Sequence, residues 1–188
     1  MKKHVLILLW VLMILMVAAC GESAPQKEAL SEQEELYLEI REKTPLPTIE
    51  LMDPKDERVT LSAPDDGILV VNFWASWCGY CREEMDYFLR LKEEHPDVTV
   101  AIVNVLDGAG STYSEEERAN VRSLAEEFSI SEDCYIDDLG QAASAFQIRS
   151  VPLTLFIDEQ NNICLRFPGA FVSYEELVEW LNCVQKYH

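Results

Sequence analysis

Cys78 and Cys81 stand three residues apart in Phe73-Trp74-Ala75-Ser76-Trp77-Cys78-Gly79-Tyr80-Cys81, after a strand-like run and at the start of a helical pattern. A cysteine at a helix N-terminus meets unpaired backbone N–H groups and the positive end of the helix dipole, and both favour the thiolate. The thiolate is the attacking species in disulfide exchange. A second thiol within the same turn can then attack the mixed disulfide. The pair reads as a dithiol redox site. Haem attachment would need Cys-x-x-Cys-His, and Arg82 follows here. The other cysteines, with His95 and His188, lack the spacing of a second zinc ligand pair. A peroxidase-type thiol would want a Pro/Thr-rich loop before a single reactive cysteine, and none is evident. No metal and no cofactor are expected.

Those thiols need a strand to lead into them and a helix to carry them. Ile68 to Phe73 is an apolar run broken only by Asn72, the pattern of a central strand buried on both faces. A helix is expected from about Cys78 to Glu94, stopped by Pro96, with Cys81, Met85, Phe88 and Leu89 at helical spacing. Upstream, the capping-box sequence Ser31-Glu32-Gln33-Glu34 opens a helix through about Lys43. Thr48 to Leu51 and Arg58 to Leu61 read as short strands around the turn-rich Asp53-Pro54-Lys55-Asp56. Downstream come a strand from Val98 to Leu106 and a helix from Ser114 with Val121, Leu124, Ala125 and Phe128 on one stripe. A brief strand from Cys134 to Asp137 and a short helix from Gln141 to Phe146 come next. Strands from Leu153 to Asp158 and Ile163 to Phe167 meet at Asn161-Asn162, and a helix from Ser173 closes the chain. This alternation predicts an α/β fold, a mixed sheet with helices on both faces.

The N-terminus bears on where the chemistry happens. Lys2 and Lys3 precede an apolar run from Val5 to Val17 and the ending Ala18-Ala19-Cys20. About 15 apolar residues fall short of the roughly 20 a membrane span needs, and a basic start with small residues before a cut marks a secretory signal. Val17-Ala18-Ala19-Cys20 resembles a bacterial lipobox, in which the cysteine receives a diacylglyceryl group and becomes the new N-terminus. A signal with an incidental cysteine, or an uncleaved anchor, would export the remainder as well. The expected organisation is a lipoprotein signal over 1–19, a polar tether over 20–30 and one folded domain over 31–188.

Removing Lys2 and Lys3 takes the 15 basic residues to 13 against 34 acidic ones, a balance of −21. Phosphate-backbone binding needs a basic footprint, so nucleic acid is excluded as a partner. Attachment to anionic headgroups is excluded on the same ground, which leaves the acyl chain to hold the membrane. Cys134, Cys164 and Cys183 remain after Cys20 and the redox pair are assigned. Three cannot all pair within one chain. Buried apolar thiols are the default, with a Cys164–Cys183 bridge as the alternative.

Strand, Trp-Cys-x-x-Cys, helix and a later Val151-Pro152 before a strand form the thioredoxin pattern. Over roughly residues 45 to 187 the chain resembles the TlpA/ResA-like thiol-disulfide oxidoreductases, exported and membrane-anchored. Three features carry the resemblance: Val71 to Cys78 before the site, Cys81-Arg82-Glu83-Glu84-Met85 after it, and the strand–helix insertion between Val98 and Tyr135. The resemblance implies a thioredoxin-like fold with an N-terminal β-hairpin. It implies Cys78 as the exposed attacking thiol, Cys81 as the buried resolving thiol and a Cys78–Cys81 redox-active disulfide. Pro152 would be a cis-proline facing the sulfurs, with Val151, Trp77, Gly79 and Tyr80 contacting substrate. Thioredoxins usually hold a buried Asp where this chain has Asn72, and Asn cannot exchange a proton. Glu84, three residues after Cys81 on one helix face, would take the proton instead, the alternative being a solvated helix glutamate; Glu83 reads as a solvated helix residue.

Gly79-Tyr80 lacks the proline usual in reducing members and matches periplasmic disulfide isomerases, so oxidase or isomerase chemistry stands beside reduction. Asp86 occupies the position of a helix-kinking proline, which puts the bend of that helix in question. The partners implied are exported proteins carrying disulfides or thiols and a membrane thiol-electron donor, acting on a monomer at the outer face of the plasma membrane or in the periplasm. A thioredoxin-like module that only binds is the rival of a different class.

Overall fold

The computed structural model describes residues 30–107 and 112–187. From residue 31 on, the described residues form one unit. The expected signal peptide, the Cys20 lipidation site and all of the tether but Leu30 lie outside the described residues.

The chain runs α1 (Glu32–Ile40), β1 (Thr44–Pro45), β2 (Glu50–Met52), β3 (Arg58–Thr60), β4 (Ile68–Trp74), α2 (Gly79–Glu83) and α3 (Met85–Glu94). It continues β5 (Val98–Asn104), α4 (Glu115–Glu127), β6 (Cys134–Ile136), α5 (Gln141–Ala145), β7 (Leu153–Ile157), β8 (Asn162–Pro168) and α6 (Tyr174–Tyr187). Among the described residues eight strands form one sheet in the order β1-β8-β7-β4-β5-β6-β2-β3. β4, β5 and β6 are parallel, and every other neighbour pairs antiparallel. β2 and β3 are the expected hairpin. It is a mixed α/β sheet.

β4 is apolar on both faces because both are covered. Ile68, Val70 and Trp74 meet Tyr37 of α1, Phe88 and Leu91 of α3, Val121 of α4 and Leu177 of α6. Leu69, Val71 and Phe73 meet Leu51 of β2, Ala142 of α5, Phe146 and Leu155. Packing on both faces sets the register of such a strand, and the turn at its C-terminal end is held in place with it.

Several boundaries differ from the sequence reading, three of them by long-range pairing or a turn. α1 ends at Ile40 rather than Lys43, because the Glu42 N–H donates to the Cys164 carbonyl at 2.9 Å and Thr44–Pro45 join β8. β2 starts two residues later and ends one residue later than expected, in register with β3. β5 stops at Asn104, and Leu106 takes a left-handed φ of 64°. Cys134, Cys164 and Cys183 are unpaired and buried.

Gly67, which opens β4, has a φ of +107°, and a Cβ there would lie 2.1 Å from the Asp97 carbonyl oxygen. Gly169 has a φ of +96° with nothing within 4 Å of a Cβ. Gly67→Ala should therefore destabilise the protein by more than about 2 kcal/mol, and Gly169→Ala by clearly less, its cost being backbone strain alone. Urea unfolding of both variants measures the difference; equal losses would contradict this account.

Candidate active site

β4 delivers the chain to the C-terminal edge of the parallel strands, where open α/β sheets bind ligands. The Cys78 N–H donates back to the Ala75 carbonyl at 3.0 Å, and Cys78 becomes the N-cap of α2. Its Sγ accepts the Cys81 N–H at 3.1 Å. The same hydrogen bond would stabilise a Cys78 thiolate after reduction. Cys78 and Cys81 are joined by a disulfide with an S–S distance of 2.08 Å and χ3 of 82°.

Cys78 is not the exposed residue that the resemblance implies. It is 5% exposed, and Cys81 is fully buried. Capping α2 turns its sulfur inward over the first turn, and the Val151 carbonyl oxygen lies 3.7 Å from it. A half-cystine has no proton, so that approach becomes a hydrogen bond only on reduction. The exposed residues are the neighbours: Trp77 at 60%, Tyr80 at 71%, and Gly79 between Cys78 and Tyr80.

The Val151–Pro152 bond is cis. Pro152 is buried and Val151 half-buried. With Tyr80, Glu83 and Tyr87 on one side and residues 169–172 on the other, they line an open groove of about 570 Å³. The Pro152 carbonyl accepts the Gly169 N–H at 2.9 Å, which fastens the two walls. Glu83 is exposed on the rim.

Glu84 is 1% exposed. Its Oε1 accepts from Asn72 Nδ2 at 2.9 Å and its Oε2 from the Phe171 N–H at 3.1 Å. Phe171 is held in turn by ring contacts with Phe167 at 4.4 Å and Phe88 at 6.2 Å. Burial pushes the carboxyl from 4.5 up to about 7, against the lowering effect of the Phe171 N–H and of Asn72. The expected continuous helix breaks here. Glu84 sits at φ −95°, ψ −4°, ending α2 and starting α3. The bend that Asp86 put in question is thus present without a proline, at the residue whose side chain is anchored across the core.

A second network has little signature in the sequence. Asp107 Oδ2 accepts from the Ser76 N–H at 2.7 Å and from Asn104 Nδ2 at 2.7 Å, while Oδ1 accepts the Ser76 hydroxyl at 2.8 Å. The Tyr113 hydroxyl donates to Asn104 Oδ1 at 2.7 Å and accepts the Asp107 N–H at 3.3 Å. The left-handed turn at Leu106 aims Asp107 back at Ser76, two residues before Cys78. A polar cluster just past an apolar strand is the one signal that could have found it.

The profile described as the AhpC/TSA family matches residues 43–166. The chain belongs to the AhpC/TSA family. Within this family setting, the thioredoxin-like protein YneN of Bacillus subtilis is 28% identical over 154 residues, covering 81% of this chain and 84% of that one. The thiol-disulfide oxidoreductase ResA of Bacillus thuringiensis is 22% identical over 182 residues, 97% of this chain and 98% of that one. Among solved structures, the exposed lipoprotein thioredoxin of Streptococcus pneumoniae superposes with a TM-score of 0.59 at 24% identity, over 72% of this chain and 98% of that one. The resemblance to the TlpA/ResA-like branch of the thioredoxin superfamily holds, and with it a thioredoxin-like enzyme that exchanges thiols and disulfides.

An amide can keep most of this network, its oxygen accepting the Ser76 and Asn104 N–H groups and its NH2 donating to the Ser76 hydroxyl. Asp107→Asn should therefore cost clearly less than Asp107→Ala, which should lose about 1–3 kcal/mol by urea unfolding. Between pH 4.5 and about 7 the folded protein holds a Glu84 proton that the unfolded chain has lost. This group's contribution is therefore full below its unfolded value and is lost as pH rises through the folded one. The oxidised protein should lose on the order of 2–3 kcal/mol over that window through Glu84, and Glu84→Gln should flatten the slope of urea-unfolding stability against pH.

Proposed function

We propose that this chain is an exported, lipid-anchored oxidoreductase that reduces disulfides in exported proteins through Cys78 and Cys81. The observation that carries the reading is a buried resolving cysteine one helical turn before a buried carboxyl raised to about 7. Such a carboxyl is matched to accept a thiol proton near neutral pH.

The Cys78 thiolate attacks one sulfur of the substrate disulfide, that S–S bond breaks, and the other substrate sulfur leaves as a thiolate that takes a proton from water. Cys81 gives its proton to Glu84 and attacks Cys78 Sγ. The mixed disulfide breaks and the first substrate sulfur departs as a thiolate. Two electrons have passed to substrate, and a membrane thiol donor returns them. Val151 and Pro152, with Trp77, Gly79 and Tyr80, would receive an extended substrate segment along the groove.

Export rests on the basic and apolar start, and lipid attachment on Cys20 in Val17-Ala18-Ala19-Cys20. The pneumococcal thioredoxin that shares the fold is described as an exposed lipoprotein, which supports the same arrangement here. Residues 1–19 would be removed, 20–30 would tether, and 31–188 would act as a monomer at the membrane's outer face. Isomerase or oxidase chemistry is the second reading, favoured by Gly79-Tyr80 with Tyr80 largely exposed beside the sulfurs.

Cys78→Ser should abolish turnover in an insulin-reduction assay, and unchanged turnover would leave a binding module. Cys81→Ser should hold the substrate as a stable mixed disulfide. The reduction potential against glutathione buffers should lie below about −180 mV, and a value above it would favour the isomerase reading.

A further inference from the structure

Asn72 Nδ2 donates twice, to Glu84 Oε1 at 2.9 Å and to Thr154 Oγ1 at 3.1 Å, while its Oδ1 is buried with no hydrogen-bond partner. A buried acceptor left without a donor loses its hydration with nothing in exchange. While Glu84 is ionised, turning the amide over brings no relief, because Oδ1 would then face a carboxylate oxygen.

Protonation of Glu84 reverses that preference. A carboxylic acid must donate its O–H, yet both groups that reach this carboxyl are donors: Asn72 Nδ2 and the Phe171 N–H. The Phe171 N–H is backbone and its ring is stacked, so it cannot turn. The Asn72 amide can. Turned over, it offers Oδ1 to the Glu84 O–H and also to the Thr154 hydroxyl, which can donate as readily as accept. Nδ2 then takes the partnerless place, so one amide atom is unmet in either orientation and the Glu84 proton decides between them. Asn72 and Thr154 are directly opposed in the β4–β7 register, so their side chains share one face. Both are fully buried, so water does not compete. None of the groups that shift the Glu84 carboxyl is a charged side chain; they are the Phe171 N–H from the loop after β8 and Asn72 from β4.

We propose that Asn72 is a positioning residue whose side-chain amide turns over each time Glu84 gains or loses a proton, with the Thr154 hydroxyl reversing in step. The inference rests on Glu84 as the proton acceptor for Cys81. When the Cys81 thiol becomes a thiolate and the Glu84 carboxylate becomes an acid, the new O–H meets Oδ1 instead of an N–H. A fixed donor at position 72 would oppose that transfer. An acid at position 72 would compete for the proton. Asn72, which cannot titrate, assists a titration by having two faces.

The test uses the full chain in detergent micelles with 15N-labelled asparagine side chains and 13C-labelled glutamate carboxyls. The Asn72 NH2 resonances should move with the same pH midpoint as the Glu84 carboxyl, and in Glu84→Gln they should be independent of pH. Asn72 resonances that stay put while Glu84 titrates would overturn the switch. Kinetics supply a second readout: reduced enzyme mixed with an aromatic disulfide releases thionitrobenzoate in two phases, the second reporting attack by Cys81. Asn72→Leu, similar in size but neither donor nor acceptor, should slow that phase by at least about tenfold and raise its pH midpoint. Thr154→Val should act in the same direction and less, and Asn72→Ser, whose hydroxyl serves both roles, should recover part of the rate. An Asn72→Leu second phase within about twofold of the parent, at an unchanged midpoint, would also overturn it. If Glu84→Gln leaves the second phase unslowed, the proton-acceptor reading falls and takes the switch with it. If Glu84→Gln slows it while the Asn72 resonances stay still, the switch alone fails.

Discussion

Glu84 carries a carboxyl into the core with no cation among the groups that hold it, and much of the site is arranged around that fact. One oxygen is held by the amide of Asn72 on the central strand and the other by the Phe171 N–H in the loop after β8. Hydrogen bonds of this kind favour the charged form, while burial favours the neutral one. Burial is the larger effect, and it leaves the group poised near neutrality. The residue so anchored also ends α2 and begins α3, so the helix break behind the disulfide and the poised carboxyl fall on one residue.

The approach to Cys78 is fastened from the other side. Asp107 gathers the Ser76 backbone and side chain and ties them to Asn104 and Tyr113 at the end of β5. β4 and β5 are adjacent parallel strands, so their ends lie together and can share such a cluster. The Gly169 N–H on the Pro152 carbonyl adds a third tie, between the cis-proline turn and the loop that carries Phe171. Three segments distant in sequence are thereby held around one S–S bond.

Much of this was legible in the sequence because it is written in local patterns. The apolar run of β4, the Cys-x-x-Cys pair, Val151-Pro152 and the helical stripes each show in spacing within a few residues. The α/β sheet and its hairpin showed in their order. The features that escaped depend on long-range pairing. Thr44–Pro45 has no strand character of its own and becomes a strand only by joining β8. Asp107 reads as a loop residue until Ser76 is beside it. The break at Glu84 needed knowledge of where its side chain is tied. The inward turn of Cys78 was hidden too, since a residue's type does not reveal which way a helix cap faces.

That inward turn has a steric consequence. Disulfide exchange needs the incoming sulfur in line with the bond being broken, and a sulfur with 5% of its residue exposed leaves a narrow cone of approach. Two recessed sulfurs cannot reach one another. Under the proposed function, a folded partner with its own disulfide sunk in a core would be rejected by shape before affinity is tested, and a loose segment able to thread between Tyr80 and residues 169–172 would be admitted. Selectivity of this kind is kinetic, built from access rather than from attraction.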